Sequence, residues 1–466
     1  MNSKEIIDAY GYEKKGAWEA LDQPATEELS QAYRTFLDRG KTERECILEI
    51  EKMARKQGFA VYEGGRLKPG ERFFIRNKGK GLLLGVAGNK TLTEGIQLVG
   101  AHVDVPRLDL KAQPLYEEEG MGLLKTHYYG GIKKYQWTSI PLAIHGVIVP
   151  MDKEPLTFQW GEDPQGPVFT ITDLLPHLAR EQMKKPMSEA VEGESLNVLF
   201  GGKPLADPEG EKRVKANLLK LIHDELGVKE EDLISAEIEV VPAGPCREVG
   251  LDRAFIGGYG HDDRVCAFSA VTALFAVREP ARTALVLLTD KEEIGSTGDT
   301  GAQSMFLEHA LALLAQGEGL QGLGDPGRIL NRSIAVSADV SAAQDPNYPN
   351  LFDPKNAPSA GMGVVLTKYT GARGKYDAND ASAETMGALR RLFHRRGVIW
   401  QTGELGKVDM GGGGTIAMFL SRLGMDTVDC GPALLGMHSP FEIVSKADLY
   451  MTVQAYSAFL QEEVAQ

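Results

Sequence analysis

Ile96-Gln97-Leu98-Val99-Gly100-Ala101-His102-Val103-Asp104 is the stretch from which the rest of this chain can be read. Only Gln97 and His102 interrupt the apolar run Ile96–Val103, the pattern of a mostly buried strand, and it ends in a histidine and an acid. The same shape, an apolar strand leading into a polar loop, returns at Ala284–Leu288 before Asp290 and at Ile334–Val336 before Asp339. Further strands are expected at Arg72–Arg76 and Gly81–Ala87. Helix-period apolar positions put helix over about residues 24 to 58, and again at Val265–Val277, Ala302–Leu314, Glu384–Phe393, Thr415–Leu423 and Ala447–Phe459. Strand alternating with helix predicts a three-layer α/β domain on a mostly parallel sheet. Functional groups of such sheets gather outside the carboxyl ends of the strands. His102, Glu293 and Asp339 fit that placement directly, whereas Asp262 and His438 need the fold to bring them there.

Residues from about 106 to 250 have a different texture, richer in proline, glycine and charge. Short strand-like runs such as Pro141–Val149 and Ile238–Val241 alternate with loops and one helix, Val214–Leu226. This segment reads as a mainly β domain inserted into the first, leaving 1–105 and 251–466 as the catalytic domain. A length of 466 residues agrees with two domains. Acids outnumber bases 65 to 51, a formal charge of −14, which argues against nucleic acid and against an anionic membrane surface. No signal-peptide core and no membrane-spanning run is evident. Cys46, Cys246, Cys266 and Cys430 lie far apart without a CxxC pair, so reduced core thiols and a cytoplasmic location are expected.

Five scattered residues carry the chemistry: His102, Asp262, Glu293, Asp339 and His438. Taken singly each has a bland reading. His102 could be a structural histidine, Asp262-Asp263 a helix N-cap with a first-turn acid, and Glu292-Glu293 a solvated acidic loop. Together, two imidazoles and three carboxylates can hold two divalent cations, zinc with cobalt or manganese as alternatives, that clamp a hydrolytic water. Adjacent acids repel, so one of the Glu292-Glu293 pair can ligate while Glu292 moves protons. In His102-x-Asp104 the carboxylate can orient the imidazole. Gly411–Gly414 lacks the Lys-Ser/Thr of a P-loop, so nucleotide binding is not expected there.

In order along the chain, Gly100–Pro106, Pro242–Pro245, Tyr259–Val265, Asp290–Ser296, Ser337–Asp339 with Asp345–Pro349, and Met437–Ser439 resemble the aspartyl aminopeptidase and aminopeptidase I family of dinuclear zinc exopeptidases. The resemblance implies an aminopeptidase acting on peptide substrates. It also implies a homo-oligomer, a tetrahedral dodecamer, whose inserted domain serves dimerisation. By the same resemblance His102 and Asp339 complete one metal site and Glu293 and His438 the other. Asp262 bridges them, Glu292 is the general base and Asp104 orients His102. The family also uses a histidine of the inserted domain that reaches a neighbouring subunit's site. Ile140–His145 resembles that segment, making His145 the candidate.

Two departures bear on substrate preference. Ala342 and Asp345 stand where some family members have histidines, and Asp409–Gly414 looks more like a bacterial branch. A basic residue, Lys368 or Lys375, would favour acidic N-termini. The competing readings are a related deacylase or carboxypeptidase, and a non-catalytic assembly scaffold.

Overall fold

The computed structural model describes residues 1–207, 209–320 and 325–464. It is a mixed α/β fold with sheets of nine, six and five strands. At the centre of the largest sheet four strands run parallel: β1 (Gln97–His102), β2 (Ala284–Thr289), β3 (Ile334–Ser337) and β4 (Asp426–Gly431), in spatial order β2-β1-β3-β4. Antiparallel partners flank this block, Gly81–Val86 beside β2 and Val364–Thr367 beside β4. The expected parallel sheet is therefore parallel where it matters for the site and mixed toward its edges.

Every residue of β1 is buried, and its alternate side chains serve two different cores. Val99 and Ala101 join Val286, Leu288 and Val336 in a core shared with the helices Gln23–Arg39, His261–Ala276 and Lys446–Gln461. Leu98 joins Leu285, Leu287 and Ala335 on the opposite face, under Leu307 and Leu311 of the helix Phe306–Gly317. Full burial of each such aliphatic chain contributes roughly 1.5–3 kcal/mol, which fixes strand register and with it the position of each strand end.

Three helix expectations change at their ends. The stretch over 24 to 58 is two helices, Gln23–Arg39 and Glu43–Lys56, because Thr42 and Glu45 form a capping box that starts the second. The helix expected from Ala302 begins only at Phe306, since the preceding turn folds back and Gln303 N–H donates to the Ser296 carbonyl. The one expected from Thr415 is Ala417–Arg422, because the Thr415 hydroxyl is engaged with Asp429 and with the Ala417 N–H.

The six-stranded sheet is antiparallel and all its strands lie between Arg107 and Pro242. It has its own core, including Leu108, Leu124, Trp137, Ile144 and Val198, covered by Val214, Leu218 and Ile222 of the helix Arg213–Leu226. The five-stranded sheet has no counterpart in the sequence reading. It pairs Phe255–Gly258 antiparallel with Glu442–Ser445, Gly258 opposite Glu442, so the turn after Gly258 and the turn before Glu442 leave from the same end.

Arg107 ties the six-stranded sheet to the helix Glu43–Lys56. Its buried guanidinium lies 2.8 Å from Asp109, 3.1 Å from Glu239 and 3.5 Å from Glu43. Arg107→Met leaves the buried Glu43 and Glu239 without their central cation, so it should destabilise the protein by about 3–5 kcal/mol, read as a lower urea midpoint. An unchanged midpoint would contradict this account of the joint.

Candidate metal centre

His102 ends β1, and Thr289, its neighbour in register, ends β2 one turn before Glu292 and Glu293. Asp339 follows β3 by two residues. His102, Glu292, Glu293 and Asp339 therefore gather at the carboxyl edge because parallel strands end together. Asp262 and His438 arrive by way of the five-stranded sheet, through the two turns that its Gly258–Glu442 pairing sets side by side. The Glu442 carboxylate fixes that junction, accepting the His438 backbone N–H at 2.7 Å and the Asp262 backbone N–H at 3.1 Å. His438 and Lys291, the residue before Glu292, both take left-handed backbone conformations, φ 64° and 67°. Such conformations persist where surrounding contacts over-determine them.

Asp262 stands between the two histidines. Its Oδ1 is 3.3 Å from His102 Nε2 and its Oδ2 is 3.2 Å from His438 Nε2. Glu293 Oε1 lies 3.5 Å from His438 Nε2, and Glu292 Oε2 lies 4.0 Å from His102 Nε2. One carboxylate thus offers an oxygen to each half of the cluster. Three groupings have ligand atoms within 4.8 Å of one another: His102 with Asp263 and Asp339, His102 with Glu292 and Glu293, and Asp262 with Glu293 and His438. The five residues singled out in the sequence fall in one place.

Asp104 organises the rear of the site. It accepts the Glu292 N–H at 3.0 Å, the Glu293 N–H at 3.1 Å and the Tyr129 hydroxyl at 2.8 Å, with His102 Nδ1 3.3 Å away. His102 Nδ1 also donates to the Asp104 carbonyl at 3.0 Å. Nε2 is thereby the ring atom turned to the cluster.

The electrostatics are those of carboxyls crowded out of water. Burial, then the charges of Asp262 and Asp104, push Glu292 up to about 7 against the pull of His102. Burial and the charge of Asp262 hold Glu293 well above the carboxyl range. Asp339 is likewise raised, by burial and by Asp263 and Asp262. Asp262 moves the other way, as does Asp104: burial opposes both, but hydrogen bonds from both histidines keep Asp262 ionised well below the ordinary value, and His102 and Tyr129 lower Asp104. Glu293 Oε1 and both Asp263 carboxylate oxygens are buried without a hydrogen-bond partner. Orphaned carboxylate oxygens beside two imidazole nitrogens are what divalent zinc, cobalt or manganese ligation satisfies, so the residues present fit a metal pair. The Glu292 side chain is 17% exposed and that of His438 34%, against 2% for His102, so the cluster opens to solvent on the Glu292–His438 side.

His145 stands outside this cluster. It is buried in the six-stranded sheet, with Nδ1 2.8 Å from Glu45 and Nε2 3.2 Å from Glu162. Both ring nitrogens are engaged within the chain. Lys368 and Lys375 both pair with Asp380. The glycine run packs on its own chain, with the Gly371 N–H donating to the Gly413 carbonyl. Sequence reading missed Glu442, Asp263, Tyr129 and Gly131. A glutamate opening an apolar strand, Glu442-Ile443-Val444, was the available signal for the first.

The family model for the aminopeptidase I zinc metalloproteases (M18) matches residues 36–460. "Probable M18 family aminopeptidase 1" of Clostridium acetobutylicum is 47% identical over 456 residues, covering 96% of this chain and 98% of that protein. The protein of the same name from Thermotoga maritima is 46% identical over 455 residues, covering 97% and 99%. The crystal structure of an M18 aminopeptidase from Thermotoga maritima superposes with a TM-score of 0.93 at 45% identity, over 97% of this chain and 99% of that one.

Titrating the metal-free protein with cobalt(II) should raise visible d–d absorption that saturates at about two equivalents. A plateau at one equivalent, or no absorption, would contradict a paired site.

Proposed function

Since the chain belongs to the aminopeptidase I zinc metalloprotease (M18) family and is a metal-dependent aminopeptidase, we propose that its two histidines and three carboxylates hold two zinc ions. His102 and Asp339 would hold one ion, Glu293 and His438 the other, with Asp262 bridging. The observation that carries this assignment is the split of Asp262, one oxygen toward each imidazole. Bound there, the cations supply a water acidified to near neutrality and positive charge for the oxyanion of the scissile carbonyl.

Glu292 is the general base of this proposal. Its carboxyl is raised to about 7 by burial first and then by Asp262 and Asp104, close to where a base accepts and releases a proton at neutral pH. Its backbone N–H is anchored on Asp104, and its carboxylate faces the open side of the cluster. From there Glu292 takes a proton from the attacking water and returns it to the leaving amine. Asp104 keeps His102 oriented throughout. No observation favours the deacylase, carboxypeptidase or scaffold readings.

The histidine that the family resemblance implies from the inserted segment is better assigned to His177 than to His145. His177 is exposed, in a run whose Leu174, Leu175, Leu178, Met183 and Met187 are exposed too. So many bare apolar side chains within one short stretch suit a surface that another subunit covers. We take residues 106–250 as the dimerising insert and the assembly as a homo-oligomer of this chain, a tetrahedral dodecamer. The mApe1 of S. cerevisiae, alike in fold, is described as a dodecamer. Four free buried cysteines suit a reducing cytoplasm, and among the described residues no helix is long and apolar enough to cross a membrane.

Glu292→Gln should retain both metals by elemental analysis and lose nearly all turnover of aminoacyl reporters. Normal turnover would remove Glu292 from the mechanism. His177→Ala should lower kcat about 10²-fold with metal content and assembly mass unchanged, whereas full activity would return the trans-acting role to another residue.

A further inference from the structure

The strand Met121–Tyr129 belongs to the six-stranded sheet, yet its end lies against the metal cluster. Three consecutive residues there touch it. The Tyr129 hydroxyl donates to Asp104 Oδ2 at 2.8 Å. Gly130 leaves so little room that a Cβ on it would stand 3.2 Å from Glu293 Cβ. The Gly131 carbonyl accepts from His438 Nδ1 at 2.9 Å, and a Cβ on Gly131 would stand 3.3 Å from that same nitrogen.

These contacts converge on both histidines. His438 receives its orientation from Gly131 directly, because a carbonyl at Nδ1 commits that nitrogen as the donor and leaves Nε2 to face Asp262 and Glu293. His102 receives it at one remove. Asp104 accepts the backbone N–H groups of Glu292 and Glu293, and the Tyr129 hydroxyl, from a different sheet, also holds the carboxylate. Tyr129 is itself held: its ring lies under the Arg107 guanidinium, 3.9 Å from centre to carbon, and Arg107 is its cross-strand partner. Arg107 is fixed in turn by Asp109, Glu239 and Glu43. The ring cannot swing away without disturbing that buried ionic joint.

We propose that Tyr129–Gly131 is the outer shell of the metal centre, with Tyr129 a positioning residue for Asp104. Through it the six-stranded sheet sets how tightly the cations are held. The inference rests on the paired-metal reading of the cluster. A merely structural Tyr129 would need only its ring, stacked on Arg107; a positioning Tyr129 needs the hydroxyl.

Tyr129→Phe separates the two, because it keeps the ring and removes the hydroxyl. The expected result, read by competition of full-length protein with a zinc chelator, is zinc affinity lowered about 10–100-fold, with the melting temperature of the metal-free protein little changed. Gly131→Ala acts from the other side and carries the test should Tyr129→Phe not fold; its methyl group against His438 should also weaken zinc binding by about tenfold. Wild-type protein that binds two zinc ions tightly, with folded variants holding them equally tightly, would overturn this inference alone. Wild-type protein without tight zinc binding would overturn the metal reading and this inference with it.

Discussion

Buried carboxylates repel one another, and this chain gathers seven of them around two imidazoles: Asp104, Asp262, Asp263, Glu292, Glu293, Asp339 and Glu442. Most respond as desolvated acids do, with proton affinities raised by burial and by each other's charge. Asp262 escapes by lying between His102 and His438. Such a cluster is a poor use of a hydrophobic interior unless cations neutralise it, because each unpaired buried charge costs several kcal/mol. The arrangement is therefore understood through its positive partners, which the aminopeptidase activity of the family requires in any case.

Rigid delivery is the other half of the design. The central strands β1, β2 and β3 end together, and apolar residues on both of their faces fix the register to the residue. His102, Glu292, Glu293 and Asp339 are placed by that edge. Asp262 and His438 are placed by a different sheet, whose strand pairing brings Gly258 opposite Glu442. A single carboxylate, Glu442, then holds the backbone of both late-arriving residues. The third sheet supplies Tyr129 and Gly131. Three sheets meeting at one cluster means that the orientation of each side chain in it depends on long-range folding rather than on loop chemistry alone.

That division explains what could be read from the sequence. Strand β1 was legible because eight residues with two polar interruptions admit few readings, and its terminal His102 followed. Glu292-Glu293 and Asp339 were legible as acids just beyond apolar strands. Asp262 and His438 gained their meaning from the set, since neither sits at a strand end. Glu442 and Tyr129 were hidden because their partners are remote in the chain: Glu442 bonds Asp262 across 180 positions. His145, in Leu142-Ala143-Ile144-His145, lies in a strand and meets Glu45 across 100 positions, another pairing that spacing does not announce. The helix over 24 to 58 divided at a capping box, Thr42 with Glu45, that lay inside a continuous apolar period.

Anomalous diffraction from zinc-loaded crystals tests the central claim most directly. Data collected on either side of the zinc absorption edge should give two peaks roughly 3.5–4 Å apart, flanking the Asp262 carboxylate with one imidazole on each. A single peak, or peaks away from Asp262, would contradict the account.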